Sequence, residues 1–380
     1  MRKTVSALLA ALFAVVCCSF SVSAVEEFEI SNGVLVRYNG DSLSVSVPDG
    51  VWKIGDEAFM GKSTTRDVTL PDSVTEIGNR AFYNCTTLQE INNTGNIAEI
   101  GSNAFYNTAL VNFSDSDFVD INGILVAYEG NAGGVRIPEG IRRIAPYVFA
   151  QNTEIETAEI PESVTYIGEG AFYRCARLAQ IEMTKNVSYI GPLALDGTAW
   201  LENYSGDFVT AGRNILVKYK GDSRNVTLPY GVEQICAAAF YENQTVCEVT
   251  IPNTCLGIQM RAFADCPNLL RVKIPQSVVG IDASAFENSS GVTIEAVAGS
   301  FAHRFAQDYS VAFEIVSGTA ISGDVDGSGE TDSADATLIL QVYAGILTED
   351  ALKNSADLDG NGETDSADAT LVLQIYAGIV

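Results

Sequence analysis

Histidine is all but absent: His303 is the only one in the sequence. That excludes any site needing two imidazoles, such as a His-rich zinc centre. Basic residues are scarce. Against 48 Asp and Glu there are 22 Lys and Arg, a formal charge of −26, which argues against nucleic acid and anionic membranes as partners. The eight cysteines show no C-x-x-C spacing, so nothing suggests a zinc ribbon. Beyond Phe20, no apolar run approaches the roughly 18 residues that a spanning helix needs.

What is present falls into three parts. Met1-Arg2-Lys3 is basic, Val5 to Phe20 is nearly all apolar, and Val22-Ser23-Ala24 offers small residues for cleavage. These features predict a secretory signal peptide over 1–24, with mature chain from about Val25. Cys17-Cys18 is not preceded by the small residue that lipidation requires.

The middle is repetitive. A Phe anchor recurs at 23-residue spacing: Phe59, Phe82 and Phe105, then Phe149 and Phe172, then Phe240, Phe263 and Phe286, with Leu195 in the remaining slot. An Ile stands five residues before every anchor, from Ile54 to Ile281, and Pro48, Pro71, Pro138, Pro161, Pro229, Pro252 and Pro275 mark a turn. The nine units form three triplets, each preceded by a segment such as Gly33-Val34-Leu35-Val36-Arg37-Tyr38 that reads as a hairpin. Each coil is expected to carry a strand ending before Pro (Val68-Thr69-Leu70, Val249-Thr250-Ile251), then a turn, then a short helical turn at Ala-Phe. One unit cannot bury its own apolar face, so neighbours must stack into Ile, Phe and Leu ladders. The I-G-x-x-A-F motif over residues 28–316 resembles the bacterial surface-protein class of leucine-rich repeats. The fold this implies is an α/β solenoid of nine coils in three triplets with hairpin insertions, with Ser300 to Phe313 closing its end.

The last stretch is one sequence written twice. Asp324 to Leu347 and Asp357 to Val380 differ at five of 24 positions. Each copy places oxygen side chains at loop positions 1, 3, 5, 9 and 12: Asp324, Asp326, Ser328, Asp332 and Asp335, then Asp357, Asp359, Asn361, Asp365 and Asp368. Glu330 and Glu363 stand at position 7, where a backbone carbonyl is donated, and Gly329 and Gly362 allow the sharp turn at position 6. Calcium takes six to eight hard oxygens, and this spacing wraps a chain around one ion. Leu338, Ile339, Val342 and Ile346, with their counterparts, supply the apolar face of a following helix. A lone acidic loop could be mere solvated surface, but two at a fixed interval, each leading into the same helix, are a specific signal.

With Asp at position 12 and no incoming helix, the pair resembles a type I dockerin over residues 323–380. The resemblance implies a small all-α module with two EF-hand-like loops and two Ca²⁺ ions. It also implies a cohesin module of a cellulosomal scaffoldin as partner. Contact residues carried over are Ser333, Ala334 and Gln341, and Ser366, Ala367 and Gln374. Both copies carry the same set, which implies two binding orientations related by a half-turn. Gly345 and Gly378 occupy a position that is often basic in some dockerin groups.

Other candidates are weaker. Cys85, Cys175 and Cys266 share one repeat slot in non-adjacent coils and read as small core residues. One bridge among Cys236, Cys247 and Cys255 would suit an exported protein. Glu76 and Glu99 share a slot before the Ile. Paired carboxylates can hydrolyse glycosides, but repeat-phased acids usually form a solvated face. Tyr83, Tyr106, Tyr173 and Tyr241 follow their anchors and read either as a ligand stripe or as packing. His303 reads as a surface residue of the closing segment.

The sequence thus reads as a secreted, non-catalytic component. Its parts are a signal peptide (1–24), a solenoid (25–316), a polar linker (317–322) and a calcium-binding docking module (323–380). The solenoid is expected to bind a protein or a plant-cell-wall polysaccharide. The rivals are an adhesin or inhibitor, and a polysaccharide hydrolase with an unrecognised site.

Overall fold

The computed structural model describes residues 27–316, 323, 325–326, 331–352, 356–358 and 363–376. The signal peptide and the linker expected at 317–322 lie outside the described residues. The repeat region is a solenoid of about 12 turns. Turns outnumber the anchored units because each hairpin is itself a turn. Phe28–Ser31 pairs antiparallel with Val34–Tyr38, and Val34–Tyr38 then pairs parallel with Lys53–Ile54 of the next coil. The same arrangement recurs at Phe118–Ile121 with Ile124–Tyr128 and at Phe208–Ala211 with Ile215–Tyr219.

Most coils carry two strands rather than the single one expected. The first ends before Pro, as at Asp67–Thr69. The second is a two-residue strand ending in the motif Ile, as at Glu76–Ile77, and it pairs with its equivalents on both sides. The helical turn expected at Ala-Phe does not form. Residues in the left-handed region flank the anchor, with φ of 58° at Glu57, 53° at Arg80 and 59° at Asn84. A left-handed residue cannot continue a right-handed helix. Instead the turn bonds to its neighbour: Phe59 N–H donates to the Ala81 carbonyl and Phe82 N–H to the Ala104 carbonyl, both at 2.8 Å. The motif Gly is explained by stacking, since a Cβ at Gly78 would sit 2.7 Å from the Asp56 nitrogen and 2.8 Å from the Gly55 carbonyl carbon.

The core is a column of rings. Phe28, Tyr38, Phe59, Phe82 and Phe105 follow one another with centroids 4.9–5.3 Å apart. Tyr38, Tyr128 and Tyr219 thus fill the anchor slot of the hairpin turns. After the third coil of the first two triplets, short helices α1 (Ala109–Asn112) and α2 (Ala199–Glu202) interrupt the Pro-side sheet. That sheet is therefore three-stranded twice, then five-stranded in the last triplet, where it runs on into Thr293–Val297 and Ala312–Val316. At the closing end, helix α3 (Phe301–Asp308) buries Ala302, Phe305 and Ala306 against the last coil. His303 is on this helix, where its Nδ1 accepts from Gly299 N–H at 3.0 Å.

The duplicated stretch forms two helices, α4 (Ser333–Tyr343) and α5 (Ser366–Tyr376), packed on each other. Its core is small: Val325, Ala336, Ile339, Ala356, Ala369 and Val372. Of the expected apolar face, Ile339 is buried and Leu338 half-buried, whereas Ile346 is 70% exposed. The reason is that α4 stops at Tyr343 and Gly345 turns left-handed at φ 70°.

Candidate calcium and partner-binding surfaces

The loop acids organise the start of each helix. Asp335 is fully buried. Its Oδ1 accepts from the Val325 and Asp326 amides at 2.8 and 3.1 Å, and its Oδ2 from Asp332 N–H at 2.9 Å. Asp332 caps α4 by accepting from Ala334 N–H at 2.6 Å, so positions 9 and 12 form a reciprocal capping box. The second copy repeats this. Asp368 is buried and accepts from the Leu358 and Asp365 amides at 2.7 and 2.9 Å, while Asp365 accepts from Ala367 N–H at 2.6 Å. Three of these bonds recur at equivalent positions in the two copies, so in both of them position 12 ties the loop's beginning to the start of its helix.

Asp324, Ser328 and Glu330 of the first loop, and Asp359 and Asn361 of the second, lie outside the described residues. Among the described residues, no three His, Cys, Asp or Glu side chains converge as a metal cluster. The donor set nevertheless suits a hard cation. Neither 24-residue copy contains a Lys, Arg or His, so its acids have no basic side chain of their own loop and helix to neutralise them. Asp326, Asp357 and Glu363 are the remaining described members of the set.

Ser333, Ala334 and Gln341 come together on one face of α4. With Asp326, Asp332, Thr337 and Leu338 they line a shallow concavity of about 510 Å³. Ser366, Ala367 and Gln374 occupy the same register on α5. Gly345 is at the position often basic in such modules for a structural reason. Ile346 N–H reaches back to the Gln341 carbonyl at 2.8 Å around a left-handed residue, a conformation glycine adopts without strain.

On the solenoid, the four tyrosines do not form one stripe. Tyr83 and Tyr106 stack at 4.9 Å, and Arg80 lies over the Tyr83 ring at 4.7 Å. Tyr173 and Tyr241 stand in other triplets, each beside an arginine, Arg174 and Arg261. Tyr83 and Tyr106 thus cover one face of each other, and arginines lie over Tyr83, Tyr173 and Tyr241, while Tyr106 is 56% exposed. A second stack escaped the reading of the sequence: Tyr166 and Tyr189 lie 4.5 Å apart and nearly parallel, with Arg143 3.6 Å over Tyr166. Tyr in the slot before the motif Ile of successive coils was the available signal. Glu76 pairs with Lys53 at 3.1 Å and Glu99 with Arg143 at 3.9 Å, so both acids take part in surface ion pairs between coils.

All six described cysteines are free, including Cys236, Cys247 and Cys255, so the bridge considered for these three is not formed. The repeat-slot thiols are more than filler. Cys85, Cys175 and Cys266 each donate to the anchor carbonyl of the preceding coil, Phe59, Phe149 and Phe240, at 2.9–3.1 Å. Burial pushes these three thiols up to about 11, and Cys236 and Cys255 to about 12. They stay protonated at neutral pH and are poor nucleophiles or metal ligands.

Comparison with known proteins agrees with both regions. The BspA type leucine-rich repeat region matches in six copies over residues 37–123, 128–207 and 217–300, more than half of the chain. A dockerin type I domain matches residues 322–375. Similar solved structures include a leucine-rich repeat protein of Eubacterium ventriosum (22% identity, 71% of this chain and 67% of that one, TM-score 0.29). Others are the leucine-rich repeat protein of T. pallidum (18%, 77% and 98%, 0.26) and a leucine-rich cell surface protein of Faecalibacterium prausnitzii (19%, 76% and 96%, 0.24). No curated protein matches the chain. Both matched families are non-catalytic. Type I dockerins bind calcium and imply a cohesin partner, and leucine-rich repeats imply protein interaction. No helix among the described residues is long and apolar enough to cross a membrane. The chain belongs to the BspA type leucine-rich-repeat family and carries a type I dockerin domain at its C-terminal end.

Proposed function

We propose that this chain is an exported, non-catalytic component that anchors itself to a cohesin through a calcium-ordered dockerin and presents its solenoid to a second partner. The observation that carries this reading is the network repeated at Asp335 and Asp368. In each copy a buried carboxylate joins the loop's first residues to the first turn of α4 or α5. Two Ca²⁺ ions, one per loop, would be held by Asp324, Asp326, Ser328, Asp332 and Asp335 with the Glu330 carbonyl, and by Asp357, Asp359, Asn361, Asp365 and Asp368 with the Glu363 carbonyl. The ion neutralises carboxylates that no basic side chain of the copy can reach. Metal binding and folding of residues 323–380 are then one event.

Loop ordering fixes Ser333-Ala334 and Gln341, or Ser366-Ala367 and Gln374, on an outward face. Because both helices present the same residues in the same register, the cohesin is engaged by either copy after a half-turn. The signal-peptide pattern at 1–24 supports export, and 317–322 joins the two parts as a short polar linker.

Calorimetry of the full chain against a panel of cohesins, with calcium and with chelator, tests the reading. Tight binding to at least one cohesin in calcium and none in chelator is expected. Changing Ser366-Ala367 alone leaves binding largely intact, and changing both pairs abolishes it. Calcium-independent binding, or no cohesin bound at all, would overturn it.

A further inference from the structure

The first triplet carries a groove. It crosses four stacked turns on the Pro side of the solenoid, from Leu43 through Arg66 and Gln89 to α1 and Phe113, and encloses about 530 Å³. At about 4.8 Å per turn it is roughly 14 Å long. Phe113 at one end is 79% exposed and Leu43 at the other 61%. Hydroxyls of Ser63, Thr64 and Thr86 line it between them.

Three features separate this groove from ordinary repeat surface. First, Phe113 and Leu43 are not copied by the repeat. Phe113 follows its anchor by eight residues, and the equivalent after Leu195 is Asn203; the counterparts of Leu43 are Gly133 and Arg224. Their exposure is thus particular to this triplet and is not copied by the repeat. Second, the equivalent floor of the second triplet is filled by charge, with Arg177 lying between Glu154 and Glu156. Third, the charges at this groove are internally compensated. Arg66 is beside Asp67 at 3.6 Å and hydrogen-bonded to Gln89 at 3.0 Å, and Asp41 is beside Lys62 at 3.5 Å.

We infer that this groove binds a short, extended, uncharged oligosaccharide of about three to four sugar units. Phe113 receives the apolar face of a terminal pyranose ring, as exposed aromatic faces do. Gln89 and the Ser and Thr hydroxyls bond the sugar hydroxyls along the floor. An anion or cation finds no uncompensated charge to attract it. A peptide lying along the groove runs across the strands Ser44–Ser46, Asp67–Thr69 and Glu90–Asn92, not beside their edges, and so cannot extend them as a further strand. Main-chain augmentation is therefore unavailable to it. The inference rests on the reading of the solenoid as a binding surface and is independent of the cohesin.

The test is calorimetry of the calcium-loaded full chain with cellotetraose, xylotetraose and mannotetraose. A tetragalacturonate and an array of extended peptides serve as charged and peptide rivals. At least one neutral tetrasaccharide is expected to bind, and Phe113→Ala to weaken it roughly tenfold. Gln89→Ala weakens it less, and Asn203→Ala in the second triplet leaves it unchanged. The exposure of Phe113 means that its removal leaves the fold intact, which circular dichroism checks. Failure of all three neutral sugars overturns the inference, as does equal affinity of wild type and Phe113→Ala. Peptide binding lost in Phe113→Ala, without sugar binding, overturns the ligand class and keeps the solenoid as a binding surface.

Discussion

The solenoid and the dockerin solve the same problem, a strongly acidic chain, in opposite ways. In the solenoid many of the acids find a cation on the same or a neighbouring coil: Glu57 with Arg80, Glu76 with Lys53, Glu233 with Arg213 and Glu287 with Arg261. Beneath them runs a hydrophobic core that every turn extends. The duplicated module has one basic residue, Lys353, between its copies, and among its described residues a core of six small or medium side chains. A module of that size is below what apolar burial alone sustains. One region draws its stability from repetition, and the other is proposed to draw it from bound calcium.

The sharpest way to break this contrast is to remove calcium. Chelator should unfold residues 323–380 while the solenoid keeps its melting transition. Differential scanning calorimetry with and without calcium reads this as loss of one transition and retention of the other. A single transition that moves as a whole would show that the two regions do not differ as described. A smaller effect comes from cutting the solenoid's ring column. Phe82→Ala leaves a void between Phe59 and Phe105 and should cost about 3–5 kcal/mol by denaturant unfolding. The dockerin's calcium titration should stay unchanged, and coupling between the two would argue against separate origins of stability.

The smallest effect concerns the buried thiols. Burial disfavours the thiolate and pushes the Cys85 thiol up to about 11 in the folded chain, from an ordinary value near 9.0. A group whose folded value is raised stabilises below its unfolded value and loses that contribution as pH rises. The solenoid should therefore lose stability from about pH 9 to 11, and the dockerin, which has no cysteine, should not share that loss. Cys85→Ser keeps the bond to the Phe59 carbonyl and should flatten part of the loss. Cys85→Val removes this second donor from the Phe59 carbonyl, which keeps the Lys62 N–H at 3.0 Å, and should cost about 0.5–1.5 kcal/mol at neutral pH. Equal stability of the Ser and Val variants would remove the hydrogen bond from the account.

Much of this was legible in the primary structure. A 23-residue period with Ile and Phe in fixed slots can be buried only by stacking, so the period dictates a solenoid. Likewise, the Asp spacing at 324–335 and 357–368 marks two metal loops that share one plan. The anchor turn was less legible. Ala-Phe reads as helical, but the left-handed residues at Glu57, Arg80 and Asn84 follow from inter-coil hydrogen bonding, which no single coil encodes. The hairpin tyrosines were visible as a phase marker, yet their place in the ring column depends on the neighbouring turn.

The sequence by itself determined the repeat, its three-fold duplication, the paired acidic loops and the lack of any two-histidine chemistry, because periodicity and composition are properties of the chain alone. Only the tertiary structure decided which side chains meet. It stacked Tyr83 on Tyr106, put Glu99 against Arg143, turned three thiols toward buried carbonyls and left Phe113 beside a groove whose charges are paired. Contacts between coils join residues some 20 or more positions apart, and they are fixed by the register of stacking rather than by any local preference.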